Sequence, residues 1–447
     1  MPTPILKTMN WQDQPEAFLR SLFERAVASA QPMLGLRSLL PEAPPAGKTI
    51  VLGAGKAAGA MAHAFELAVQ QRWPAGSHVE GIVVTRYGHQ PPRPAELPPQ
   101  PRIEILEAAH PVPDANSEAA ARRILALAAQ AGPDDLVVYL LSGGGSALLA
   151  LPADGIDMAL KQHITGQLLQ SGAPIEVINC VRKHLSGIKG GRLAQASATA
   201  RRLTIAISDV PGDDLSVIAS GPTVPDASNC AEALAWIDHY GIGIPESLRE
   251  RLQSATLETP KPGEPLFQHD RHLLMATPAQ ALRAAAELAE EHGLPAFILS
   301  DRLEGESSAM GRWHAQVAHA VQAGNSSLQA PCVLLSGGET TVTITRTDVR
   351  AQGGRAMEFC MGLARGLQGA AGIWGLAADT DGIDGISDAA GAQVTPSTLE
   401  RARAAGLDLP THMHAHDGHG FFDALGDLVR TGPTHTNVND FRAILIV

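Results

Sequence analysis

Lys48-Thr-Ile-Val-Leu-Gly-Ala-Gly-Lys-Ala-Ala-Gly59 decides how the rest of the chain is read. The apolar run Lys48–Leu52 has the length and β-branching of a short buried strand, and it runs straight into a glycine turn. Beyond the turn Met61, Ala64, Phe65 and Ala68 recur at helical spacing. Strand, glycine turn and helix make a βα unit, and the same grammar repeats outward. Strands are expected at Gly81–Thr85, Arg102–Leu106, Asp135–Leu141 and Arg202–Ile207, with helices at Pro15–Ser29 and from about Ser117. Residues 88–101 hold six prolines and read as an exposed loop. Alternating strands and helices imply an α/β fold, its sheet mostly parallel and covered on both faces.

A polar stretch, Ser254–Gln268, carries Pro260, Pro262 and Pro265 and marks a domain boundary, giving domains of 1–260 and 261–447. The grammar then restarts. Strands are expected at His272–Met275, Ala296–Leu299, Cys332–Leu335, Ile373–Ala378 and Ala443–Val447, with helices at Pro278–His292, Glu306–Ala323 and after Arg355. Ser336-Gly-Gly reads as a turn ending its strand, and Thr340–Thr345 alternates like an adjacent antiparallel strand.

Of 447 residues, 45% are hydrophobic and 18% charged, a globular balance that excludes a mainly disordered chain. Thirty-four basic against 46 acidic side chains leave a net charge of −12, which argues against nucleic acid as a partner. No run is long and apolar enough to span a membrane, and the first 20 residues lack a signal-peptide pattern. Cys180, Cys230, Cys332 and Cys360 form no CxxC and read as reduced thiols. The expectation is a cytoplasmic protein acting on small molecules, with no nucleic-acid or membrane partner; the sequence is compatible with a homo-oligomer.

In open parallel sheets ligands bind beyond the carboxyl ends of the strands, where the Gly-rich and Asp-rich loops of this chain fall. Ser142, Gly143, Gly144, Gly145 and Ser146 form the best phosphate cradle, since three glycines let backbone N–H groups approach an anion, helped by a following helix. Gly53 and Gly55 satisfy GxGxxA, the dinucleotide fingerprint, but the second strand ends in Thr85-Arg86 instead of the acid that holds a ribose. Lys56 reads either as an ammonium for a transferring phosphoryl group or as a solvent-facing lysine. Arg355 opens a helix and suits a phosphate or carboxylate, or a surface ion pair. Asp379 and Asp381, with Asp384 and Asp388, offer hard oxygens for Mg²⁺ or form an Asx-turn loop. Asp209, directly after its strand, reads as a general base or a metal ligand. Arg182, Lys183, His184 and Lys189 make a local basic segment suited to a small anion, or else a solvated helix face. His110 stands near a strand end. The histidines at 412, 414, 416 and 419 match no metal spacing, and no GxSxG elbow supports a serine nucleophile.

Taken in order, these loops resemble the glycerate 2-kinase family, the class II glycerate kinases with a carboxy-terminal MOFRL domain. The resemblance rests on GAGKAAGAM (53–61), HPVPD (110–114), SGGGSALL (142–149), RKHLSGIKGGRLA (182–194), SDVPGDDLSVIASGPTVPD (208–226), LLSGGETTV (334–342), GGRAMEF (353–359), DTDGIDG (379–385) and TGPTHTNVND (431–440). It implies ATP-dependent, Mg²⁺-assisted phosphorylation of D-glycerate to 2-phosphoglycerate. It also implies a Rossmann-like amino-terminal domain, a smaller α/β domain and an active site in the cleft between them. The family's functional lysine falls on Lys56 and its functional arginine on Arg355, which are expected to meet across that cleft. Two departures stand out: Ala356-Met357 where relatives often carry Asn-Gln, and His435 where glycine is common. Some relatives are called hydroxypyruvate reductases, so an NAD(P)H-dependent reductase is the alternative.

Overall fold

The computed structural model describes residues 10–344 and 352–447. The chain forms two compact α/β units. One comprises Pro32–Ser208 and Asp213–Met275; the other comprises the segment ending at Gln31, Asp209–Gly212 and Ala276–Val447.

The first unit is built on β1 (Thr49–Ala54), β2 (Val79–Arg86), β3 (Ile103–Ala108), β4 (Leu136–Leu141), β5 (Arg201–Ile207) and β6 (Arg271–Ala276), in the order β3-β2-β1-β4-β5-β6. The pairings β1–β2, β2–β3, β1–β4 and β4–β5 are all parallel. Every residue of β1 and β4 is buried, as continuous apolar runs require when helices cover both faces. The order is that of the doubly wound dinucleotide-binding fold, with its topological switch between β1 and β4.

The second unit contains β7 (Ala296–Ser300), β8 (Cys332–Gly338), β9 (Ile373–Asp379), β10 (Gly391–Val394), β11 (Leu428–Val429) and β12 (Asp440–Ile446), in the order β11-β10-β9-β12-β8-β7. Only β7–β8 is parallel; β12 runs antiparallel to both β8 and β9, as β10 does to β9 and β11. The second half therefore does not repeat the parallel grammar of the first.

Four expectations need correction. The strand at 271–276 belongs to the first sheet, not to the second half. Arg202 on β5 holds the approach to it, bonding Asp270 at 2.7 Å with both side chains buried, as well as the Leu266 carbonyl. Helix Pro15–Ser29 belongs with the second unit, where it packs on helix Pro278–Glu291, β9 and β12. Its apolar face (Phe18, Leu19, Leu22, Phe23 and Ala26) is buried, Phe23 lies 5.8 Å from the ring of Phe441, and Arg20 bonds Gln393 at 2.8 Å. Each such large side chain contributes ~1.5–3 kcal/mol when buried. Ser336-Gly337-Gly338 is not a turn but the last part of β8, paired with Arg442, Phe441 and Asp440. Glycine is needed there because residues 302–303 cross close by: a Cβ on Gly338 would lie 2.1 Å from the Leu303 nitrogen. Residues 340–344 form no strand beyond a bridge from Thr341 to Glu306, and Thr345 lies outside the described residues.

Candidate functional site

At the switch point of the first unit, the loops after β1 and β4 are bonded to each other. Lys56 N–H donates to the Gly143 carbonyl at 2.8 Å, Ala57 N–H to Ser142 Oγ at 3.0 Å, and Ser142 N–H to the Ala54 carbonyl at 3.1 Å. Gly55 N–H donates to Val84 and Ala58 N–H to Gly55. In a dinucleotide-binding turn these amides face a pyrophosphate; here the protein's own oxygens take them. Gly55 sits at φ +137°, and a Cβ on it would lie 2.1 Å from Ser142 Oγ. Gly53 is likewise closed in, 2.3 Å from the Leu140 carbonyl by the same measure.

Gly144, at φ +82°, has His110 and the Lys56 side chain as its nearest neighbours, 3.2 and 3.3 Å from where its Cβ would be. Lys56, Gly144 and His110 thus converge at the carboxyl ends of β1, β4 and β3. Burial, reinforced by Lys56, Arg86 and His89, pushes His110 down to about 3, so its imidazole is neutral at physiological pH. The helix expected after the glycine loop is a single turn, Gly145–Leu148, too short to contribute a substantial dipole.

The same loop continues into a second group of polar contacts. Ser146 bonds Ser220 at 2.7 Å, and Ala219, Ser220 and Gly221 stand consecutively at φ of 53°, 61° and 60°. Such geometry costs ~1–3 kcal/mol per non-glycine residue and collects at functional sites. The segment 189–191 holds it in place. Lys189 Nζ donates to the Leu149 and Ala219 carbonyls at 2.9 and 3.4 Å, and Gly190 and Gly191 N–H donate to Ser220 and Gly221.

Three basic side chains share this region. Lys189 is fully buried, and burial with the charges of Lys161 and Arg182 holds its ammonium well below the usual lysine range. Lys161, also buried, donates to the Leu151 carbonyl at 3.4 Å, and burial beside Arg182 and Arg192 lowers it to about 7. Arg182 donates to Asn179 Oδ1 at 3.1 Å, and that oxygen also accepts from Ser220 at 3.3 Å. None of the three has a carboxylate within salt-bridge distance among the described residues. Burial without counter-charge favours the neutral amines of the two lysines, and an arriving anion would favour their charged forms. Lys161 was not anticipated from the sequence.

Lys183 and His184, expected to bind an anion, are already engaged. Lys183 pairs with buried Asp226 at 3.2 Å, while His184 donates from Nδ1 to the Cys180 carbonyl and meets Glu258 at 3.1 Å through Nε2. His184, Cys230 and Glu258 bring ligand atoms within 4.8 Å of one another, but Lys261 Nζ, 2.5 Å from Glu258, already supplies the positive charge.

In the second unit Arg355 opens helix Arg355–Leu367 and is gripped by three carboxylates: Glu339 at 2.6 Å, Asp440 at 3.2 Å and Asp379 at 3.3 Å. Despite the burial, these anions and Asp384 raise its guanidinium well above the usual arginine value. Asp384 caps that helix from a distant loop, accepting from Gly354, Ala356 and Met357 N–H at 3.1, 3.1 and 2.8 Å. Asp379 accepts the Asp381 N–H and Asp381 that of Ile383, so the loop also makes Asx-type turns. Asp209 accepts from Asn437 Nδ2 at 2.8 Å through its carboxylate and from Asn439 through its carbonyl.

The donor set of Asp209, Asp379 and Asp381 is all oxygen and suits Mg²⁺, which binds through one or two carboxylates and substrate phosphates. Among the described residues these carboxylates form no ready-made three-ligand cage. The histidines of the 412–419 stretch do not gather either: His412 meets Asp417, His416 meets Glu358 and His419 meets Asp388.

A family model described as a domain of unknown function, DUF4147, matches residues 18–253, and the MOFRL family model matches residues 332–440. A protein of Agrobacterium vitis named "Putative hydroxypyruvate reductase" is 50% identical, with 98% of this chain and 96% of that protein aligned. D-glycerate 2-kinase of Thermotoga maritima is 38% identical over 95% of this chain and 94% of its own. The crystal structure of a glycerate kinase from Thermotoga maritima matches with a TM-score of 0.83 at 36% identity, covering 97% of this chain and 100% of that one. Similarity of this extent, over both halves of the sequence, has one reading: the chain belongs to the glycerate kinase family that carries a MOFRL domain.

Proposed function

We propose that the protein is an ATP-dependent glycerate 2-kinase, transferring the γ-phosphoryl group of ATP to the 2-hydroxyl of D-glycerate. The observation that carries this reading is the closed first turn. The amides of Lys56 and Ala57 are bonded to Gly143 and Ser142, which leaves the Lys56 side chain, beside Gly144, as the chemistry this turn presents. A nicotinamide dinucleotide needs those amides; a transferring phosphoryl group needs the cation.

In this reading ATP phosphates lie along Ser142–Ser146 next to Gly53 and Gly55. The carboxylate of glycerate meets Arg182 and Lys189, with Lys161 adding to the field; Lys183 and His184 serve the fold. The 2-hydroxyl oxygen forms its bond to the γ-phosphorus as the bond to the β–γ bridging oxygen breaks and ADP leaves. Asp209 takes the hydroxyl proton. Lys56 and Arg355 are cations of the kind that neutralise equatorial phosphoryl oxygens in phosphoryl transfer. Mg²⁺, held through Asp379, Asp381 and Asp209, would offset charge on the ATP phosphates. Reduced thiols and ATP as substrate fit a cytoplasmic setting.

Phosphorus NMR of the product from D-glycerate and ATP tests the reading, with 2-phosphoglycerate expected. The name of the Agrobacterium vitis relative makes the reductase the competitor. Oxidation of NADH or NADPH by hydroxypyruvate without ATP, and no phosphorylated product, would replace the kinase reading with that one.

A further inference from the structure

Arg442 is the bulkiest fully buried side chain among the described residues, with 1% of its surface exposed. It sits on β12, flanked by Ser336 of β8 and Ala377 of β9. Its Nη2 donates to Asp440 Oδ2 at 2.7 Å and to Thr340 Oγ1 at 3.0 Å, while Nε and Nη1 find no acceptor. The guanidinium lies 5.2 Å from the ring centre of Phe359. Burying a guanidinium with two unmatched donors works against stability, and an apolar side chain of similar volume generally serves a core better. Arg442 therefore needs a reason beyond packing.

That reason lies in what its partners touch. Asp440 keeps its other oxygen, Oδ1, 3.2 Å from Arg355 Nη2, an ion-pair contact without hydrogen-bond geometry. Phe359 stands four residues after Arg355 on the same helix, one turn along. Arg442 thus reaches one of the carboxylates beside Arg355 and a ring one turn along the helix that Arg355 opens. By drawing Oδ2 toward itself, it turns the carboxylate away from the two-point closure that makes arginine–carboxylate pairs strongest. Glu339 and Asp379 each accept one hydrogen bond from Arg355, from Nη1 at 2.6 Å and from Nη2 at 3.3 Å. A guanidinium held at single points by several acids can exchange one of them for a phosphoryl oxygen; one locked bidentately to a buried carboxylate cannot do so readily.

We propose that Arg442 is a positioning residue for Arg355, keeping Asp440 from closing on it. The inference rests on the clamping role assigned to Arg355 above, so its test includes a readout that needs no turnover. In substrate-free protein, the rate at which phenylglyoxal modifies Arg355, followed by peptide mass spectrometry, reports how tightly that guanidinium is held. Arg442→Met and Arg442→Gln should slow modification ~3-fold or more as Asp440 turns both oxygens to Arg355. They should also lower kcat ~30-fold with KM for D-glycerate changing less than ~3-fold. Arg442→Lys, which keeps a donor for Asp440 Oδ2, should restore most of both. Unchanged or faster modification in the neutral variants overturns the proposal even if the protein proves not to be a kinase. Slower modification with kcat unchanged in an active kinase overturns it too, because the hold on Arg355 would then not matter to transfer.

Discussion

Replacing Gly55 by alanine tests whether the two glycine loops at the switch point work as one piece. The new Cβ would fall 2.1 Å from Ser142 Oγ and 2.5 Å from the Ser142 carbonyl oxygen, at a backbone φ of +137°. The hydroxyl can rotate away, but the carbonyl is backbone at the end of β4, so the loops must part by ~1 Å or more. Parting them strains the bonds from Lys56 N–H to Gly143 and from Ala57 N–H to Ser142 Oγ. At ~1 kcal/mol for each bond and ~1–3 kcal/mol for the backbone, the variant should lose ~3–5 kcal/mol of stability. A ~1 Å displacement of Lys56 from Gly144 should lower kcat ~100-fold. Gly76→Ala is the control, since it also has positive φ, +92°, but nothing lies within 4 Å of its Cβ position. Urea unfolding and a coupled ADP-release assay read both effects. If Gly55→Ala keeps kcat within ~3-fold of wild type, or is no less stable than Gly76→Ala, the interlocked-loop argument is wrong.

Three further outcomes follow from the geometry. Lys56→Met should lower kcat ~10³-fold with little change in the thermal midpoint, and a variant that turned over normally would remove Lys56 from the phosphoryl clamp. Arg182→Leu should raise KM for D-glycerate ~10–100-fold while KM for ATP stays put; equal effects on both substrates would mean that it does not hold the acid. Burial, with repulsion from Asp440 and Asp379, pushes the Asp384 carboxyl up to about 7. The folded chain therefore keeps a proton that the unfolded chain releases near pH ~4. This contribution to stability is complete below pH ~4 and is lost as pH rises through 7, ~4 kcal/mol in all. Asp384→Asn should flatten that fall, measured as urea midpoints from pH 5 to 8, and an unaltered slope would contradict the assignment.

The buried strands were legible because apolar runs such as Leu136–Leu141 fit only a strand covered on both faces. Sheet membership was not legible. Nothing local says that Arg271–Ala276 pairs backward, since the deciding contact, Arg202 with Asp270, joins residues 68 apart. Helix Pro15–Ser29 was legible as a helix, yet the owner of its apolar face depended on residues such as Phe441, more than 400 positions away. Lys56, Arg355 and the 142–146 loop stand out as candidates in the sequence because glycines flag close backbone approach. Arg182, Lys183 and His184 could not be separated, since neighbours on a helix point about 100° apart and only the fold says which way each faces. Lys161 did leave a signal: it stands in helix Met158–Gln170 at the spacing of Ile164 and Leu168, a cation in a row of core positions.

The placement of helix Pro15–Ser29 has a consequence for how the molecule is made. Synthesised more than 340 residues ahead of β9 and β12, it must wait for them before its phenylalanines have anywhere to go. Until then it is a greasy tether on a nascent chain whose first unit can already be folding. The carboxy-terminal half expressed by itself would display the uncovered face of β9 and β12 and stick to its own copies, and a separately added peptide spanning residues 10–31 should keep it in solution.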